Sequence, residues 1–105
     1  MKNKLVIVTG ASSGIGRACA IEFANKGANL VLAARSAEKL ELISKEISLL
    51  GVQVLAVPTD VSKQEDCKVL VDKALKRFGK IDILVNNAGI SMRAAFADLD
   101  IEVLK

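Results

Sequence analysis

Three glycines set among small polar residues, in Thr9-Gly10-Ala11-Ser12-Ser13-Gly14-Ile15-Gly16, are the first residues of this sequence whose types and spacing point to chemistry. They follow an apolar run at 5–8 and open a helical pattern. A turn in that position brings backbone N–H groups and the positive end of a helix dipole to an anion. Gly10 permits the sharp turn, Gly14 lets the backbone approach a pyrophosphate, and Gly16 lets the helix lie close to the sheet. No lysine follows the last glycine, so the pattern is not a P-loop. A glycine-rich connection with no ligand is the plain alternative.

A second group closes the second apolar run, at Ala33-Ala34-Arg35-Ser36. Sites for NAD place an acidic residue about twenty positions beyond the glycine turn, where it holds the ribose 2′-hydroxyl. A carboxylate is missing here. Arg35 offers a guanidinium fork and Ser36 a hydroxyl, both suited to a 2′-phosphate, so the expected cofactor is NADP, with NAD the weaker alternative. Arg35 as a solvated charge is the bland reading, and Ser36 also suits a helix N-cap.

These groups need elements to hold them, and the apolar pattern supplies them. Short β-branched runs alternate with longer helical stretches, which is the pattern of βαβ units. Strands are expected at 5–9, 29–34, 53–58 and 82–86, each apolar enough to be covered on both faces. The helices between them end at Gly27, Gly51 and Gly79, residues suited to the left-handed position past a helix end. The second helix aligns Leu40, Ile43, Ile47 and Leu50, and the third aligns Cys67, Leu70, Val71, Ala74 and Phe78. Ser62 and Glu65 have capping-box spacing, while Lys73, Lys76 and Arg77 suit the far end of the same helix. Asp98 reads as the start of a fourth helix running to Lys105. The fold class is therefore α/β, a Rossmann-type doubly wound parallel sheet of four strands in the order 3-2-1-4 with helices on both faces. Ligands of such sheets bind at the carboxyl ends of the strands where the order reverses, here between strands 1 and 4.

The glycine spacing, together with Asn86-Asn87-Ala88-Gly89 after the fourth strand and Asp60-Val61 after the third, resembles the short-chain dehydrogenase/reductase family over essentially the whole chain. The resemblance implies that Gly10, Ser12, Ser13, Gly14, Ile15 and Gly16 hold the pyrophosphate and neighbouring ribose. It implies that Asp60 and Val61 border the adenine, and that Asn86, Ala88 and Gly89 line the cofactor ribose and support the sheet. It further implies hydride transfer between NADP(H) and a carbonyl or secondary alcohol. Members use a Tyr, a Lys four residues later and a Ser for that chemistry. None of them can be placed here, because the chain has no Tyr and Ser91 falls at the wrong point in the family order. The expectation is an N-terminal dinucleotide-binding part, 1–105, whose catalytic and substrate part lies beyond Lys105. A non-catalytic nucleotide-binding module and a half-domain without ligand stay open as alternatives. A flavodoxin-like receiver is disfavoured, because it would want acidic residues at the strand ends.

Composition narrows the field further. The 105 residues allow one domain at most. The absence of His, Tyr and Trp removes imidazole catalysis, phenol proton donors and indole stacking, and no metal site is expected. Fifteen Lys and Arg against twelve Asp and Glu give +3. These charges are interspersed on helical stretches with no basic block, so no nucleic acid is expected as partner. Cys19 and Cys67 are far apart and sit in apolar patterns, the mark of buried thiols in a reducing cytosol. No run is long enough for a signal peptide or membrane span, so the expected location is cytoplasmic. The partners expected are the dinucleotide and, in a longer enzyme, a small carbonyl or alcohol substrate, with homo-oligomer assembly through helices beyond this stretch. Without a further strand the fourth would leave an apolar edge unpaired, which predicts self-association or marginal stability of the isolated chain.

Overall fold

The computed structural model describes residues 1–87 and 102–104. Its elements alternate as the pattern predicts: β1 (Leu5–Thr9), α1 (Gly14–Asn25), β2 (Asn29–Ala34), α2 (Ala37–Ser48), β3 (Val54–Pro58), α3 (Gln64–Phe78), β4 (Ile83–Asn86) and β5 (Glu102–Leu104). The strands form one parallel sheet in the order β3-β2-β1-β4-β5. The expected 3-2-1-4 arrangement is present, and the third and fourth strands each begin one residue later than the pattern suggested.

Both faces of the sheet are buried, which is why its strands read as continuous apolar runs. Side chains alternate across β1, so Val6 and Val8 pack with Leu30, Leu32, Ala20, Leu40 and Ile47 under α1 and α2. Leu5 and Ile7 pack with Val31, Val57, Leu70 and Leu84 under α3. Each fully buried Leu or Ile contributes about 1.5–3 kcal/mol relative to exposure. Leu40, Ile43 and Ile47 form the buried stripe of α2, but Leu50 lies past the helix end and is 45% exposed. Cys67 is buried and Cys19 half-buried, and both thiols are free.

Helix punctuation follows local chemistry closely. Gly27, Gly51 and Gly79 all have positive φ, and the Gly79 amide closes α3 on the Leu75 carbonyl. Ser36 caps α2 by accepting the Lys39 amide at 3.3 Å. The capping box at Ser62 and Glu65 does not form. Lys63 is the N-cap of α3, without a side-chain bond. The Ser62 amide and hydroxyl both donate to Asp60 Oδ1, at 3.0 and 2.6 Å, so Ser62 belongs to an Asx turn and the helix starts one residue later than the box requires.

The expected helix from Asp98 to Lys105 is also corrected. Residues 102–104 form β5, pairing in parallel register with β4 from Ile83↔Glu102 to Val85↔Leu104. The backbone groups along the edge of β4 offer ladder partners, and the Glu102 amide donates to the Asp82 carbonyl at 3.1 Å. The edge of β4 that the sequence left unpaired is thus covered. The start of that predicted helix at Asp98, along with Ser91, lies outside the described residues.

Candidate functional site

The carboxyl end of β1 is tied to that of β4 by a buried hydroxyl. Thr9, fully buried, places its Oγ1 3.3 Å from the Val85 carbonyl and 3.2 Å from Asn86 Oδ1, and accepts the Asn87 amide at 3.0 Å. The chain leaving β1 turns at once through Gly10, whose φ of 61° is costly for any residue with a Cβ. The Ser13 hydroxyl organises the turn that follows. It donates to the Gly10 carbonyl at 2.8 Å, accepts the Gly16 amide at 3.1 Å as the N-cap of α1, and accepts from Asn87 Nδ2 at 2.8 Å. One donor and two acceptor positions exhaust a hydroxyl. Asn87 Nδ2 also reaches the Gly10 carbonyl at 3.4 Å.

Gly16 meets the reason for its identity here. A Cβ on it would lie 2.1 Å from the Gly10 carbonyl oxygen and 2.8 Å from its carbon, so α1 can start this close to the turn only at glycine. A Cβ on Gly14 would meet nothing within 4 Å, which leaves the space in front of this turn open. Ile15 beside it is 70% exposed.

A cleft of about 440 Å³ opens next to the turn, over the ends of β1, β2 and β3. It is lined by Gly10 and Ser12 after β1, by Ala34, Arg35, Ser36 and Lys39 from the end of β2 into α2, and by Thr59, Asp60, Val61 and Ser62 after β3. That volume is within the range of about 300–1,000 Å³ seen for small-molecule sites. The Asp60 carboxyl is held below its ordinary range, first by the Ser62 hydroxyl and then by the Ser62 amide, with Arg35 and Lys63 assisting against burial. It therefore stays a carboxylate across the whole physiological range.

The structure brings Gly10, Ser12, Arg35, Ser36, Asp60 and Val61 together in this cleft. Ser13, Gly14, Ile15 and Gly16 lie outside its lining, on the N-cap and first residues of α1, and Asn86 ends β4. Asp60 does not reach the β1–β4 junction, because β3 is two strands from β1, so the site is wider than that crevice. Ala88 and Gly89 lie outside the described residues. One contributor, Lys39, was missed, and its place in the first turn of α2 just after the Ser36 cap could have pointed to it. Asn87, within the Asn86 to Gly89 motif and readable as a hydrogen-bonding corner, ties β4 to the turn. Among the described residues, no cluster of His, Cys, Asp or Glu could hold a metal ion, and no helix is long and apolar enough to cross a membrane.

A glycine turn, a polar cleft on the strand ends and the 3-2-1-4 order agree with the match of residues 4–105 to the pattern of short chain dehydrogenases. The chain belongs to the short chain dehydrogenase family. An uncharacterized oxidoreductase of Listeria innocua is 54% identical over 90 residues, covering 86% of this chain and 36% of that protein. The L-sorbose reductase of Gluconobacter frateurii, solved with NADPH and L-sorbose, is similar with a TM-score of 0.82 at 42% identity, over 86% of this chain and 35% of that one. A short chain dehydrogenase/reductase of Burkholderia phymatum in complex with NAD gives 0.77 at 38% identity, over 80% of this chain and 30% of that one. The chain spans about a third of the length of these relatives.

Membership in this oxidoreductase family brings an NAD(P)-binding Rossmann-type fold, and the residues present fit such a cofactor. The open space before Gly14 and the start of α1 suit a pyrophosphate. The cleft beside it suits the adenosine half. Short chain dehydrogenases similar to this chain hold NADPH in one case and NAD in another, so family membership alone leaves the choice of cofactor to the residues of the cleft.

Proposed function

We propose that this chain is the cofactor-binding part of an NADP(H)-dependent short chain dehydrogenase that acts on a small carbonyl compound or secondary alcohol. The observation that carries the reading is Arg35. At the end of β2, where an NAD site wants a carboxylate, the cleft lining presents a guanidinium and the Ser36 hydroxyl instead. A 2′-hydroxyl gains little from that pair, whereas a 2′-phosphate meets charge and hydrogen bonds at once.

On this reading Gly10, Ser12, Gly14, Ile15 and Gly16 approach the pyrophosphate and its ribose, and Ser13 shapes the turn from within. Asp60 and Val61 border the adenine. Asn86, Ala88 and Gly89 line the cofactor ribose and support the sheet. When bound, the cofactor supplies or accepts the hydride. The chain's own residues bind and orient it, and having no Tyr they lack the family's proton donor, so the 105 residues alone bind cofactor without turnover.

Titrating the chain with NADPH and NADH, by cofactor fluorescence or calorimetry, tests the proposal. The expected result is tighter binding of NADPH, with the advantage lost in Arg35→Ala. Equal affinity for both cofactors in the unmodified chain would remove the NADP(H) assignment. No binding of either would favour a half-domain without ligand.

A further inference from the structure

Lys39, in the first turn of α2, lines the same cleft as Arg35, which leaves β2 just before the Ser36 cap, and both side chains are exposed. Among the described residues neither forms an ion pair, and Arg35 lies near enough to Asp60 only to help lower that carboxyl. Two cations on one cleft repel each other, and a ligand anion between them replaces that repulsion by attraction.

The third charged residue of the lining adds direction. Asp60 is a carboxylate with its Oδ1 bonded to Ser62, so a phosphate is favoured beside Arg35 and Lys39 and disfavoured beside Asp60. Between the two cations, the Ser36 oxygen accepts the Lys39 amide. Its proton is free to donate, since a hydroxyl carries one donor beside its acceptor positions.

We infer that Lys39 is a second specificity-determining residue, closing with Arg35 and Ser36 around the phosphomonoester of the dinucleotide. The inference rests on the NADP(H) reading above and goes beyond it in assigning the discrimination to two cations on different elements. The two differ in kind. Arg35 grips two oxygens through a planar fork from the end of β2, and Lys39 adds a mobile point charge from α2.

The test titrates the unmodified chain, Lys39→Gln, Lys39→Arg and Arg35→Ala with NADPH, NADH, 2′,5′-ADP and 5′-ADP, with circular dichroism to confirm that each variant is folded. Lys39→Gln is expected to weaken NADPH and 2′,5′-ADP by about five- to tenfold, the scale of one exposed charge-assisted contact, while NADH and 5′-ADP hold their affinity. It should also lower the salt dependence of NADPH binding, and Lys39→Arg should keep most of the affinity. If Lys39→Gln binds NADPH as the unmodified chain does, or weakens NADPH and NADH equally, Lys39 has no part in discrimination. Should the NADPH preference survive undiminished in Lys39→Gln and vanish in Arg35→Ala, this inference fails while the NADP(H) reading stands. An unmodified chain with no preference overturns both.

Discussion

Asn87 holds Ser13 across 74 residues of sequence: its side-chain amide donates to the Ser13 hydroxyl at 2.8 Å, and that same hydroxyl caps α1 and anchors the Gly10 carbonyl. The exit of β4 and the glycine turn are thereby one unit. Replacing Asn87 by Ala removes the strut, and we expect a stability loss of about 1 kcal/mol in urea unfolding, the usual scale of one hydrogen bond. Asn87→Asp should do more harm to binding. It turns a donor into an acceptor beside the Gly10 carbonyl and adds negative charge where a pyrophosphate is expected. NADPH and NADH should then weaken alike, because the pyrophosphate is common to both. A change in their ratio would contradict this placement.

Gly16 and Gly14 should separate folding from binding. Gly16→Ala drives a Cβ to 2.1 Å from backbone oxygen, which cannot rotate away, so unfolding should come about 2–3 kcal/mol earlier. Gly14→Ala meets open space at the first position of α1, where Ala is the better helix former, so stability should hold or rise by up to about 1 kcal/mol. The added methyl occupies the space in front of the turn. Dinucleotide affinity should fall in the variant whose stability did not, as calorimetry alongside thermal unfolding would read.

The contrast between these residues shows what a linear reading reaches. Gly10, Gly16 and the Ser36 cap answer to local backbone geometry, and spacing alone identified them. Arg35 was legible because a missing carboxylate at the end of a strand has a chemical meaning. Ser62 was misread, since capping-box spacing says nothing of the Asx turn on Asp60 that takes up its amide and hydroxyl and moves the helix start one residue on. Residues 102–104 were misread for a related reason: short charged and apolar alternation fits a helix turn or a strand equally, and the edge of β4 decided. Asn87 could be read as a hydrogen-bonding corner, but its partners could not, because they come together only where β4 lies against the turn. Lys39 is a tertiary fact, set by where the first turn of α2 meets the cleft.

Asp82 gives the fold a pH dependence. Burial raises its carboxyl pKa, but the Leu5 amide at 2.8 Å, Lys80 and Lys4 outweigh that and hold it below its ordinary 3.8. A depressed folded-state pKa stabilises the fold above the unfolded value, and that stabilisation is lost as the pH falls through the folded value. Urea midpoints should therefore be level near neutrality and drop below about pH 4. In Asp82→Asn the acid-side slope should flatten and stability near neutrality should fall by about 1–2 kcal/mol, since the Leu5 amide loses a charged acceptor. An unchanged slope would place the acid sensitivity elsewhere.

The two cysteines should differ sharply in reactivity. Burial pushes the Cys67 thiol up, and the nearby negative charges of Asp66 and Asp60 push in the same direction, so little thiolate is present near neutral pH. Its sulfur also contacts the Val61 carbonyl at 3.5 Å, on the segment that lines the cleft after β3. Cys19 is half-buried on α1 and more open to reagent. A thiol reagent added to the native chain should modify Cys19 first, with Cys67 reacting at the rate of opening of α3 rather than at a chemical rate. A cofactor that packs against Val61 should slow Cys67 further and leave Cys19 as it was. Mass spectrometry of time points with and without NADPH reads both effects, and rapid labelling of Cys67 in the native chain would show that α3 is not seated as described.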